Sequence, residues 1–267
     1  MELQLGVLGV GHLSTAILQG VFEHGVLDPG SVLLADRDPD RLEDFAGLGC
    51  PVVPSTELVR APRILCAVRP QDFPAAAVEL APLGSEHLVI SVMAGLGSDS
   101  IRSSLGGACR VVRTMPNAGA VLGCSMTAVA RGPGATDDDD AFVERLFGAI
   151  GLTVEIDERM LSAATAVSGS GPGWVYLLAS AMHDAAVAVG FDSQLADTKV
   201  RQTILAAART LETSGQPFDQ LIEGIASKGG TTEAGLRVMR ENGFVEAVVA
   251  GITAARDRGD ALGAADQ

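Results

Sequence analysis

Apolar and polar positions change their rhythm partway along this chain, near residue 156. Before that point, short apolar runs alternate with joints rich in glycine, proline and charge. After it, alanine-rich stretches repeat at helical spacing and no strand pattern is found. The apolar positions Leu3, Leu5, Val7 and Leu8 predict a first strand, and Val32–Leu34 a second. A short third is expected near Val52–Val53, with further strands at Arg63–Val68, Leu88–Val92, Arg110–Arg113, Ser125–Ala130 and Leu152–Ile156. Helices are expected after the first strand, from the Asp38-Pro39-Asp40 opening to about Leu48, and from about Asp138. In the second half the pattern predicts helices over about 158–189 (interrupted near its middle by Gly169–Gly173), 193–213, 217–226 and 231–258, with fraying from about Gly259. The fold class expected is an α/β Rossmann domain with a mainly parallel sheet over 1–156, followed by an all-α domain over 157–267.

The first joint carries the most specific chemistry. Gly9, Gly11 and Ser14 stand at G-x-G-x-x-G spacing between a strand and a helix, and the second strand ends in Asp36-Arg37. A dinucleotide needs this order: one glycine for the tight turn, one for backbone approach to the pyrophosphate, and a small residue for helix–strand packing. The helix N-terminus then faces the anion and the acid faces the ribose. Three later strands end in small or turn-forming residues, at Arg69-Pro70-Gln71, Ala94-Gly95 and Met115-Pro116-Asn117. Ligands bind beyond such carboxyl ends in open parallel sheets.

Composition narrows the partners. The chain of 267 residues carries 19 Lys and Arg against 33 Asp and Glu, a net charge of −14, which argues against nucleic acid or an anionic membrane. Hydrophobic residues make up 47% and aromatics 4%, so the core is built from Ala, Val, Leu and Ile. Lys199 and Lys228 are the only lysines. The cysteines and histidines are scattered without metal-ligand spacing, so no metal is expected and the cysteines read as reduced core residues. The carboxylates Asp137–Asp140 read as a solvated helix start. No basic leader with a long apolar segment opens the chain, and no apolar stretch is long enough to span a membrane. A soluble protein of a reducing compartment, the cytoplasm, is expected.

Two stretches of the helical half stand out. Ser168-Gly169-Ser170-Gly171-Pro172-Gly173 places glycines where each costs a helix roughly 1 kcal/mol, which suggests close packing, backbone approach to a ligand, or a bend between helices. Ser227-Lys228-Gly229-Gly230-Thr231-Thr232 precedes the last helix. It suits a carboxylate or phosphate held by backbone amides, or a threonine-capped turn.

These segments resemble the pyrroline-5-carboxylate reductase family over nearly the whole chain. The matching stretches are GVGHLSTAI, AVRPQD, SVMAGL, RTMPNAGAV, AVSGSGPGWVY with AMHDAAVAVG, and SKGGTTEAGL with NGF, in the right order. The resemblance implies NAD(P)H-dependent reduction of the cyclic imine 1-pyrroline-5-carboxylate to L-proline. It also implies a C-terminal dimerisation domain and a site completed by the partner subunit's helices, in a homodimer or a ring of dimers. Carried over by position, it implies cofactor contacts at Val10, His12, Leu13, Asp36, Asp38, Val68, Arg69, Pro70, Ala94 and Asn117, beside Gly9, Gly11, Ser14, Arg37, Ala67 and Gly95. Substrate contacts are implied at Glu158, Gly230, Thr231 and Thr232, with Thr232 the hydroxyl that assists protonation of the ring nitrogen.

The chain departs from the family's usual pattern. Lys228 stands where the family usually has Pro, Arg69 for Lys, His12 for Asn, Ala118-Gly119 for Thr-Pro, Gly173 for Ala and Ser180 for Glu. Lys228, beside the anion loop, would strengthen carboxylate binding or reshape the pocket. Gly173 and Ser180 remove bulk or charge and leave room for a larger cyclic imine, the alternative substrate. Rival readings are weaker. A hydroxyacid dehydrogenase would place a Lys on the helix after the glycine-rich turn, where none stands before Lys199. A short-chain dehydrogenase needs Lys four residues past Tyr, but Tyr176 is followed there by Ser180. A non-catalytic dinucleotide sensor is the alternative from another class. Two carboxylates, Asp36 and Asp38, against the single Arg37 favour NADH over NADPH.

Overall fold

The computed structural model describes residues 2–265, and side chains as far as residue 263. Seven strands form one sheet: β1 (Leu5–Leu8), β2 (Val32–Ala35), β3 (Arg63–Cys66), β4 (Leu88–Ser91), β5 (Arg110–Met115), β6 (Ser125–Arg131) and β7 (Gly151–Glu155). Their spatial order is β2-β1-β3-β4-β5-β6-β7, and all neighbours are parallel except β5 and β6. The short strand expected near Val52 is a single parallel bridge to Leu34 on the outer side of β2. Pro51 and Pro54 flank it, and proline cannot donate to a ladder, so pairing stops there.

Both faces of the sheet are covered along most of its width, while the edge strand β7 stays largely exposed. Leu5, Val7, Leu34, Leu65, Ile90 and Val112 join one buried cluster with α1 (His12–Glu23) and α5 (Asp137–Gly148). Their alternates Leu8, Leu33, Ile64, Cys66, Val89 and Val111 join another, with α3 (Phe73–Leu80) and α4 (Ser98–Ser104). Burial on both sides explains why these strands read as unbroken apolar runs. The stretch after Asp38 forms only a 3-10 turn, Pro39–Arg41, and the short α2 (Glu43–Gly47).

Asp137–Asp140 is a helix start, but it is not fully solvated. Thr136 and Asp139 form a capping box, and Asp139 is buried with both oxygens bonded to Arg110, at 2.7 and 3.0 Å. Cys50, Cys66 and Cys109 are buried free thiols, whereas Cys124 is exposed and is no core residue.

The helical stretch beyond β7 is more broken than its pattern predicts. A 3-10 turn (Glu158–Met160), α6 (Leu161–Ala164) and a π turn (Thr165–Gly169) precede α7 (Gly171–Ala188). Then follow α8 (Ser193–Ser214), α9 (Phe218–Ile225), α10 (Thr231–Glu241) and α11 (Phe244–Ala265). The single helix expected over 231–258 is split because Gly243 takes φ +78°, a left-handed conformation that ends α10. The fraying expected from Gly259 is not found through Ala265; Asp266 and Gln267 lie outside the described residues. A Cβ on Gly259 would sit 3.1 Å from that of Ser162, and one on Gly263 3.2 Å from the Gly95 carbonyl, so the absence of side chains lets this segment pack closely. Residues 2–170 with 254–265 form one compact unit, and 171–253 form another. By packing, the segment from Glu158 to Ser170 therefore groups with the α/β unit.

Candidate active site

The turn between β1 and α1 is built around two glycines with different duties. Gly9 has φ +93°, and a Cβ there would lie 2.9 Å from the Ala67 carbonyl, so the ends of β1 and β3 touch through it. Gly11 has an ordinary φ of −89°, and a Cβ there would meet nothing within 4 Å. The fold leaves that space open, and no side chain caps the start of α1. A pyrophosphate fits this arrangement, since first-turn amides and the helix dipole face an unfilled cradle. Ser14 does more than stay small: its Oγ lies 2.7 Å from the Gly9 carbonyl and 3.1 Å from that of Gly11, and the side chain is buried. His12 is exposed at the first position of α1, and Leu13 packs against the core.

A cleft of about 650 Å³ opens beyond this turn, lined by Gly9, Gly11, Asp36, Arg37, Asp38, Ala67, Val68 and Arg69 among others. Asp36 turns inward. Its Oδ2 accepts from the Val10 amide at 2.6 Å and its Oδ1 from the Asp38 amide at 2.8 Å, with the side chain only 8% exposed. It therefore fastens the glycine turn to the end of β2. The rim holds more charge than the sequence reading counted. Arg37 and Arg69 both face Asp72, at 3.7 and 2.7 Å, and Arg41 faces Asp38 at 3.2 Å. Each rim arginine thus already has a carboxylate partner. Pro70 opens the 3-10 turn that presents Asp72.

Ala94 and Gly95, after β4, face a second cleft of about 680 Å³ in the same unit, with Ser98, Arg113, Met115 and Glu158. Glu158 is half-buried. Its Oε1 accepts from the Ser98 amide at 2.8 Å and from Arg113 Nη1 at 3.0 Å, and its Oε2 accepts from the Ser98 hydroxyl. Burial pushes the Glu158 carboxyl upward, but these bonds outweigh it and leave it below the usual glutamate range. Asn117, after β5, spends both ends of its amide on the protein: Oδ1 accepts from Gly119 and Nδ2 donates to the Ser168 carbonyl, each at 3.0 Å.

In the helical unit, Gly230 precedes the first turn of α10, Thr231 and Thr232 are its first two residues, and no side chain caps this end. The threonine-capped alternative is thereby ruled out. Gly230 is required by contact, since a Cβ would meet Ser227 Oγ at 2.6 Å. The Gly229 amide donates to Glu233 at 2.6 Å, and Lys228 is exposed. In the other stretch, Gly171 and Gly173 would each carry a Cβ with nothing within 4 Å, so close packing inside the chain does not explain them.

Sequence reading missed Ser98, Arg113, Arg41 and Asp72. Arg113 did leave a signal. It is a charge at the end of an apolar run in a strand flanked on both sides, and a buried cation needs a partner.

A mostly parallel sheet with this glycine turn, followed by helices, defines a Rossmann-type dinucleotide-binding protein. The sequence comparisons narrow the class. Residues 158–262 match the model for pyrroline-5-carboxylate reductase dimerisation, and residues 4–95 that for coenzyme F420-dependent NADP oxidoreductases. The pyrroline-5-carboxylate reductase of Pisum sativum is 33% identical, over 95% of this chain and 94% of its own. The solved reductase of Coxiella burnetii superposes with a TM-score of 0.91 at 28% identity, covering 98% of this chain and 99% of its own. That of Plasmodium falciparum, with NADP bound, gives 0.84 at 26% identity, covering 98% of each chain. The chain belongs to the pyrroline-5-carboxylate reductase family.

Proposed function

We propose that this protein reduces 1-pyrroline-5-carboxylate to L-proline with a reduced nicotinamide dinucleotide. The observation that carries this reading is the uncapped start of α10 at Gly230-Thr231-Thr232. First-turn amides without a side-chain cap suit a carboxylate, and this substrate bears one beside its imine. Thr232 then offers a hydroxyl that hydrogen-bonds the ring nitrogen or relays a proton to it from water, which reprotonates the hydroxyl. Glu158 is the remaining substrate contact in this reading. The names of the relatives support the same reaction.

The bound dinucleotide supplies the hydride for the imine carbon. The residues that would hold it are those of the glycine turn, Gly9, Val10, Gly11, His12, Leu13 and Ser14, with Asp36, Arg37 and Asp38 at the adenosine end. Ala67, Val68, Arg69 and Pro70 line the middle, and Ala94, Gly95 and Asn117 the far end. In this assignment 1–156 binds dinucleotide, and 157–267 supplies dimer and substrate contacts. We further propose a homodimer or a ring of dimers in the cytoplasm with no nucleic-acid partner. Among the described residues, no helix is long and apolar enough to cross a membrane.

NADH is the proposed preference. A 2′-phosphate would compete with Asp72 for Arg37 and Arg69 and with Asp38 for Arg41, all of them already paired. A carboxylate a few ångströms from a phosphate repels it by roughly 1–4 kcal/mol. Steady-state kinetics with both dinucleotides, with L-proline identified as product, tests the assignment. Higher kcat/KM with NADPH would overturn the preference. Dinucleotide binding without L-proline formation would overturn the reaction and favour a sensor.

A further inference from the structure

We propose that Ser98 and Arg113 are positioning residues for imine reduction, acting through Glu158. The inference rests on the reading of Glu158 as a substrate contact. Three donors from two elements meet on this one carboxylate: the amide and hydroxyl of Ser98, at the start of α4, and Nη1 of Arg113, in the interior strand β5. Arg113 is itself buried, and its Nε has no partner among the described residues. Its one described side-chain bond goes to Glu158, so each group holds the other in place.

Other charges near Glu158 are either engaged elsewhere or supplied by neighbouring elements. Asp157 and Arg159, on its own turn, pair with each other at 2.8 Å. Arg131 of β6 is engaged by Asp137 and Asp140. Glu155 of β7, Asp99 of α4, and Arg258 and Asp260 of α11 complete the walls of the two clefts that Glu158 lines. Ser98 and Arg113 alone among these groups donate hydrogen bonds to the carboxylate in the described residues.

The consequence is chemical. A fixed carboxylate anion in the substrate cleft favours the protonated imine, the better hydride acceptor, over the neutral one. Removing a donor lets burial dominate and raises the pH at which Glu158 becomes neutral. Activity should then be lost earlier as pH falls.

The test compares wild type, Ser98→Ala, Arg113→Lys, Glu158→Gln and the double variant S98A/E158Q. The readouts are the pH profile of kcat/KM for pyrroline-5-carboxylate and L-proline affinity by calorimetry at pH 6. Ionisation of the imine is common to all variants and cancels on division by wild type. Ser98→Ala should move the acidic limb to higher pH and lower both kcat/KM at the acid end and L-proline affinity about tenfold, as expected for a hydrogen bond to a charged group. Arg113→Lys, which keeps the charge and loses the planar fork, should move the limb in the same direction. In the Glu158→Gln background, Ser98→Ala should have no further effect. A folded Ser98→Ala enzyme with unchanged profile and affinity would overturn the proposal. So would an equal loss with and without the Glu158 carboxylate, which marks a purely structural role. Should Arg113→Lys fail to fold, the Ser98 pair decides. Failure of the underlying reading is separate: Glu158→Gln alone would then leave kcat/KM and L-proline affinity unchanged, or wild type itself would form no L-proline.

Discussion

At the scale of single residues, buried charge decides what can be measured. Asp139 is held by Arg110 and by the Thr136 cap. Burial pushes its carboxyl up, but those bonds outweigh it and leave it below the ordinary 3.8. A carboxylate depressed by folding contributes stability that is complete above its unfolded pKa and is lost as pH falls through the lower folded value. Asp139→Asn should therefore cost about 3 kcal/mol in denaturant unfolding at pH 7. The deficit should shrink as pH drops below the ordinary aspartate range, and a deficit that is constant with pH would contradict the assignment. At the cofactor rim, Asp38→Asn combined with Asp72→Asn should shift the NADPH/NADH ratio of kcat/KM roughly tenfold toward NADPH by removing repulsion. Thr232→Ala should lower turnover roughly 10²-fold if its hydroxyl assists protonation, and an unchanged kcat in the folded variant would remove it from the mechanism.

At the scale of elements, the β1–α1 turn separates folding from binding within three residues. Gly9→Ala meets the Ala67 carbonyl and a left-handed φ, and should lower the melting temperature. Gly11→Ala meets nothing in the protein, and should leave the melting temperature alone while weakening dinucleotide binding at least tenfold, as measured by fluorescence titration. Equal melting losses in both variants would contradict this division. The turn was legible in the sequence because its spacing encodes a backbone shape. Strands β1 to β4 were legible because burial on both faces leaves almost no polar positions to interrupt them. Less was visible where one residue overrides a periodic pattern. Gly243 breaks a helix whose apolar spacing runs on, and Gly259 and Gly263 read as a frayed tail although they are contact points. The Ser98–Glu158 bond spans 60 positions and joins residues of ordinary type, so only the fold brings them together.

At the scale of the whole molecule, the helical unit leaves large apolar side chains uncovered in the single chain. Tyr176 is 67% exposed, Leu177 69% and Phe218 74%. Such exposure in a unit that matches a dimerisation family calls for a second copy. Sedimentation should show no stable, active monomer at micromolar concentration, with dimers or their multiples instead. Lys228, exposed beside Gly230, and Gly173, with open space where a Cβ would stand, raise the question of ring size in the substrate. The most direct measurement is kcat/KM with NADH for 1-pyrroline-5-carboxylate and for its six-membered homologue, with the products identified. Imine-dependent NADH oxidation that yields L-proline is expected, with the five-membered ring preferred. A higher kcat/KM for the six-membered ring would contradict the assigned substrate, and dinucleotide binding without turnover of either imine would contradict the assigned reaction.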